Sequence, residues 1–134
     1  MQLYKKNIRI YDPMKNKFIN EEDIINKFGV KPEKVIDVQA LAGDSSDNVP
    51  GVPGIGVKTA AELINNFGTL DNLLKNADKI KQNKRRETLI NNSEKALISK
   101  RLVTLKNDVP VKDKVENFLL KEIDKDKLLS LIHI

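Results

Sequence analysis

Apolar positions along the 134-residue chain come in short groups divided by strong stop signals, and most groups repeat at helical spacing. The exception opens the chain: NIRIY at 7–11 alternates as a strand does, and DPMKNK then turns it, with no partner strand evident. Asn20 followed by Glu21, Glu22 and Asp23 reads as a capped helix start with acids at the positive end of the dipole, and Gly29 as its stop. Pro32 suits the first turn of a second helix, whose Val35, Ile36, Val38 and Leu41 give a buried face up to Gly43. Beyond a glycine-rich interval, Val57, Ala60, Ala61, Ile64 and Phe67 share one face of a third helix that Gly68 ends, and Thr69 then caps LDNLLKN. KRRETLINN is a short basic helix; Ser93 is placed as the cap of a longer one whose Leu97, Ile98, Leu102 and Leu105 face a core. VPV at 109–111 breaks the pattern, and Phe118 and Leu119, then Leu128, Leu129 and Ile132, suggest two more short helices, the last running to the final residue. With no internal repeat, the pattern predicts one mostly α domain with a short N-terminal strand.

Composition narrows the class. Hydrophobic residues at 40% and charged residues at 32% suit a globular chain in water, and no window approaches the roughly 18 apolar residues of a membrane span. There is no cysteine, hence no disulfide or thiolate site, and QLYKKN after Met1 is not an export signal, so a cytoplasmic location is expected. A net charge of +5 and a pI near 9.3 favour polyanionic partners. Aromatics at 4% are too few for a platform on which single-stranded bases stack, which leaves contact with a duplex or its backbone.

The interval GVPGIGVKT at 51–59 carries the most chemistry. It is not a Walker loop: Gly51 to Gly56 is followed by Val57, which puts Lys58 one residue late, and polar DSSDNVP precedes it in place of a buried strand. It is not a dinucleotide fingerprint either, because the third glycine is missing. A tight hairpin between two helices fits, with Gly54 and Gly56 permitting positive φ and letting a bulky partner approach the backbone. Amides at the start of the following helix would then face an anion, with Lys58 adding charge and Thr59 a hydroxyl; a DNA phosphate suits that geometry, which reads backbone and not sequence. Turn chemistry alone also accounts for a lone GxG.

Just upstream, GDSSDN places Asp44 and Asp47 three residues apart, on one face if the segment is a helical turn, within reach of one hard cation or its waters. The competing reading makes Asp44 a helix cap and Asp47 with Asn48 a turn before Pro50. An EF-hand is excluded by the missing acidic rhythm, and two carboxylates alone make a poor magnesium site. Farther along, KIKQNKRR puts Lys84, Arg85 and Arg86 where phosphate contacts on the downstream flank of the hairpin are expected, whereas Lys95, Lys100, Arg101 and Lys106 fit a solvated face or further contacts equally well. His133, the lone histidine, is not expected to be catalytic.

The run LAGDSSDNVPGVPGIGVKTAAELINNFGTLDNLL resembles the helix-hairpin-helix region of the 5′ to 3′ exonuclease domain of bacterial DNA polymerase I, in the 5′ nuclease or flap endonuclease superfamily. The likeness extends to INEEDIINKFGVKPEKVIDVQAL before it and ALISKRLVTLKNDVPV after it, the latter resembling a helical segment and an extended strand; together they cover about residues 1–115. It implies a helix-hairpin-helix core at about 33–68 with further helices over 69–134, the whole being the C-terminal portion of such a domain. Members hydrolyse phosphodiesters at 5′ flaps, gaps or nicks in replication and repair, with divalent metals, Mg2+ or Mn2+, held by clustered acids. The resemblance implies that Asp44 and Asp47 serve the second metal position, and that Gly51, Gly54, Ile55, Gly56, Lys58 and Thr59 belong to the element that grips the duplex, where relatives also hold K+ through backbone oxygens.

The chain departs from the family pattern in lacking the Asp-x-Asp pair expected just before MQLYKKN, the earlier metal acids and the gateway helices, and it ends at LLSLIHI with no polymerase domain following. The expectation is therefore the C-terminal half of a nuclease domain: a monomer that binds duplex DNA weakly and cleaves nothing alone, its partners including the missing N-terminal half and polymerase domain. Two alternatives remain: a stand-alone non-catalytic DNA-binding module, in which Asp44 and Asp47 are dispensable, and a small nucleotide-binding protein, against which the placement of Lys58 argues.

Overall fold

A computed structural model describes residues 1–119 and 122–132. Seven α-helices, three 3-10 turns and one small antiparallel hairpin make up its regular structure among those residues. The chain opens with β1 (Ile10–Asp12) paired with β2 (Lys17–Ile19), Ile10 opposite Ile19 and Tyr11 opposite Phe18. The strand thus lies later than the expected 7–11, and its partner is KFI, immediately after the turn. Asp12 makes that turn local: its Oδ1 accepts the amides of Met14 and Lys15, and Asn16 takes φ 48°.

Helix α1 (Glu21–Phe28) starts as its sequence dictates. The Asn20 side chain accepts the Asp23 amide while Asp23 accepts the Asn20 amide, a reciprocal capping box, and that hydrogen bond, with Lys17 close by, holds the Asp23 carboxyl below its ordinary value. Gly29 closes the helix at φ 72°, and an added Cβ there would stand 2.7 Å from Ala61 Cβ, so α1 can approach the third helix only through glycine. Pro32–Lys34 forms a 3-10 turn that leads into α2 (Val35–Ala42). Val35, Val38, Ala40 and Leu41 are fully buried, so α2 is covered nearly all round and serves as the central post. Helices α3 (Val57–Phe67) and α6 (Ser93–Val103) pack most extensively against it. Thr69 caps α4 (Leu70–Lys75) as expected, accepting the Asn72 amide, and a 3-10 turn at Ala77–Lys79 leads to α5 (Asn83–Asn91), which is held by Leu89.

The expectation for α6 needs correction twice. Asn92 holds the cap position, with no side-chain hydrogen bond, and Ser93 is the first helical residue. Leu97, Ile98, Leu102 and Leu105 do not face the core: Ile98, Leu102 and Leu105 are 52%, 59% and 47% exposed. Ala96, Ser99 and Val103 are buried instead. Small side chains let α6 lie close against α2; the large ones would hold it away. Lys100 joins the packing electrostatically, with Nζ 3.3 Å from buried Asp37 on α2 and 2.5 Å from Asp71 on α4. Burial opposes its charge, but the two carboxylates prevail and raise its pKa, and its hydrogen bond in turn lowers that of Asp71. This is neither of the roles that the sequence left open for Lys100.

Beyond α6 the chain loosens. The Gln2 side chain clasps its end, donating to the Val103 carbonyl and accepting the Leu105 amide. Residues 104–114 run irregularly, without the extended strand that the resemblance implied. The first of the two late helices is a 3-10 turn at Val115–Phe118, and the second is α7 (Lys125–Ile132), with Leu128, Leu129 and Ile132 exposed. The end of the last helix as read from sequence, and His133, lie outside the described residues.

Candidate nucleic-acid interface

Two loops between α2 and α3 carry the candidate residues, and two glycines join them. The first loop, 44–50, is closed at its neck by paired hydrogen bonds: the Asp44 amide donates to the Val49 carbonyl (3.0 Å) and the Val49 amide to the Asp44 carbonyl (2.8 Å). Gly43 (φ 76°) and Gly51 (φ 61°) flank this bridge back to back. A Cβ on Gly51 would fall 2.4 Å from the Gly43 nitrogen, and one on Gly43 2.8 Å from the Val49 carbonyl oxygen. Only glycine fits either place. Gly51 is buried, so it supports the hairpin from behind and is not one of its outward-facing groups.

Asp44 and Asp47 sit in this loop, not on a helical turn. Asp44 Oδ1 accepts the Ser46 amide, which fixes its side chain and leaves Oδ2 outside that bond; Asp47 is exposed, followed by Asn48 at φ 56°. The turn expected at Asp47 and Asn48 forms, but Asp44 follows α2 without capping a helix start, and the helical turn that would set both carboxylates on one face is not there. As hard oxygen donors on one short loop they suit a divalent cation, but no group of three acidic, histidine or cysteine side chains that could hold one occurs among the described residues.

The second loop is the hairpin 53–56. Val52 and Ile55 are buried and pin it to the core, and the Ile55 amide closes the turn on the Val52 carbonyl. Ile55 is therefore an anchor, and what faces outward is Pro53, Gly54, Gly56 and backbone. Gly54 takes φ 75° and needs to be glycine. Gly56 does not share that reason, contrary to expectation: its φ is −88° and an added Cβ would meet nothing within 4 Å. It occupies the cap of α3 with no side-chain hydrogen bond, and the first bond within the helix runs from the Ala60 amide to the Gly56 carbonyl. The amides of Val57, Lys58 and Thr59 precede it, at the positive end of an eleven-residue helix, beside the exposed Lys58 side chain.

Helix α5 supplies the flank. Pro53, Gly54 and Ile55 share a shallow cleft with Gln82, Lys84, Arg85 and Thr88. Lys84 is exposed and makes no ion pair among the described residues. Arg85 lies 3.2 Å from Glu62 of α3, and Arg86 turns away, donating to the Ile80 carbonyl and Asn83 Oδ1. The structure thus brings Lys84 and Arg85 to the hairpin and leaves Arg86 beside it. Sequence reasoning missed Ser99, whose Oγ accepts the buried Gly51 amide at 2.9 Å; its signal was the 3–4 spacing of Ala96, Ser99 and Val103.

Solved relatives share this architecture. A T5 protein co-crystallised with metal ions matches with a TM-score of 0.69 at 23% identity, over 76% of this chain and 38% of its own, a likeness of fold. A T5 flap endonuclease in a pseudo-enzyme-product complex with DNA and metal ions matches equally. At the sequence level, the profile of the family described as 5′-3′ exonuclease, C-terminal SAM fold, matches residues 30–126. The chain belongs to this 5′-3′ exonuclease family. It is 49% identical over 98% of its length to DNA polymerase I of Rhizobium leguminosarum, and 42% identical over 91% to a 5′-3′ exonuclease of Buchnera aphidicola subsp. Acyrthosiphon pisum. It spans 13% of the first relative and 45% of the second. No helix among the described residues is long and apolar enough to cross a membrane.

Proposed function

We propose that this chain binds duplex DNA through the hairpin and the start of α3, as the C-terminal, helix-hairpin-helix portion of a 5′-3′ exonuclease domain that acts at 5′ flaps, gaps or nicks. The observation that carries this reading is Gly56. Neither backbone conformation nor internal packing requires glycine there, and Ser, Thr or Asp would cap α3 better. A glycine with open space in front of unpaired amides suits the close approach of an external anion, and a phosphate fits those donors. Lys58 lies on the same turn as those amides, Thr59 follows it, and Lys84 and Arg85 extend the positive surface along the cleft.

Asp44 and Asp47 would supply oxygen ligands toward Mg2+ or Mn2+, which activates water and stabilises the leaving oxygen in phosphodiester hydrolysis. The role of this chain in that chemistry is to hold the two carboxylates at a fixed offset from the gripped backbone, through the Gly43–Gly51 neck. Two carboxylates do not complete such a site, so the chain by itself, a monomer in the cytoplasm, binds DNA and does not cut it. Potassium at the hairpin carbonyls would add a second point of attachment to the backbone.

The test is binding to a labelled nicked duplex across a salt series. Lys58→Ala should lower the slope of log K against log salt by about one unit, the loss of one phosphate contact. Gly56→Val, compatible with φ −88° and open space, should leave the fold intact and weaken binding at least tenfold. Unchanged binding in both variants would refute the hairpin as the grip, and magnesium-dependent cleavage by the wild-type chain would refute the division of labour.

A further inference from the structure

Within the core, Ser99 is out of place by chemistry. It is fully buried, and with Asp37 it forms the buried polar residues of the described chain. Asp37 has an ionic partner in Lys100, one residue along α6 from Ser99, which ties α6 to α2 and α4. A serine within a helix ordinarily turns its hydroxyl back to the carbonyl four residues earlier, as Thr88 does toward Lys84 and Thr104 toward Lys100. Ser99 instead receives the amide of Gly51, 48 residues away in sequence, at 2.9 Å.

That amide sits at a mechanical junction. Gly51 has its backbone pressed against Gly43, so its plane cannot rotate without opening the neck of the 44–50 loop. Residue 52 is already committed in the other direction, its amide donating to the Leu41 carbonyl at 2.7 Å, and the hairpin turn closes on its own carbonyl. The loop with Asp44 and Asp47 leaves this junction on one side and the hairpin with Gly54 and Gly56 on the other. An unpaired Gly51 amide in the interior would be costly, so Ser99 specifies one orientation of the junction.

We propose that Ser99 is a positioning residue: its hydroxyl clamps the Gly51 amide and thereby sets the offset between the carboxylate loop and the phosphate-facing hairpin. The DNA-binding consequence rests on the function proposed above; the clamp itself does not. Its neighbour Lys100 holds helices together, whereas Ser99 holds a loop.

The experiment compares the full chain with its Ser99→Ala variant by amide hydrogen exchange and by the salt series. The clamp predicts that Gly51, Val49 and Val52 amides exchange at least tenfold faster in the variant, while Leu41 and Ile64 amides keep their relative protection. Binding to the nicked duplex should weaken about five- to tenfold with an unchanged salt slope, because Ser99 touches no phosphate, in contrast to Lys58→Ala. Wild-type exchange at Gly51 in the variant, or an equal rise at loop and core amides, would overturn the proposal. A wild-type chain that does not bind DNA refutes the proposed function alone; exchange at Gly51 still decides the role of Ser99.

Discussion

Helices α3 and α6 are each eleven residues long, each carries an apolar stripe, and only one of the stripes is covered. On α3 the large residues Leu63 and Ile64 go inward together with Ala60 and Ala61. On α6 the large residues stay out and the small ones go in. Hydrophobicity says that a face gains by being covered; the size of side chains says how near a neighbour can come. Because α2 is buried on almost every side, α6 reaches it only along Ala96, Ser99 and Val103, and a polar residue on that stripe is acceptable because a backbone amide meets it.

Substitutions can break this contrast. Ile64→Ala should cost about 2–5 kcal/mol in chemical denaturation, because it leaves a cavity in the centre of the core. Ala96→Leu adds apolar surface and should nevertheless destabilise by roughly 1–3 kcal/mol, since α6 has no room to retreat. Lys100→Ala should cost about 1–2 kcal/mol, discounted for the exposure of Asp71, with most of the loss arising from Asp37 left unpaired. Its pH dependence has a definite sign. The lowered Asp71 pKa stabilises the fold above the ordinary 3.8 and ceases to do so as pH falls through its lower folded value. The raised Lys100 pKa stabilises below 10.5 and ceases to do so as pH rises through its higher folded value, so the gap between wild type and variant should be widest between those limits. Leu102→Ala, on the uncovered stripe, should change stability by less than about 0.5 kcal/mol; a loss as large as that at Ile64 would show that a partner covers α6 in solution.

Where local chemistry decides, the sequence could be read. The Asn20 box, the Thr69 cap and the glycines at 29 and 68 define helix ends within a few residues, and each appears where its side chain or its missing Cβ requires. The hairpin and its uncapped helix start were legible too, though Gly56 was credited with a positive φ that Gly54 alone takes. The features missed depend on how segments pair and pack. β2 is three residues of unremarkable KFI whose pairing follows from the Asp12 turn, and the inward face of α6 follows from the bulk of α2. The acidic loop falls between these cases. Its turn at Asp47 and Asn48 was read, but the arrangement that holds the loop, a bridge between Asp44 and Val49 sealed by two glycines, is a backbone match that DxxD spacing cannot convey.

That seal makes the tip of the 44–50 loop an exchangeable cassette. Both ends of the insert are fixed against each other by the backbone itself, and Val49 is buried in the core, so side chains at the exposed residues 45–47 can change without strain passing into α2 or α3. Those tip residues tolerate rewriting, and the two glycines do not.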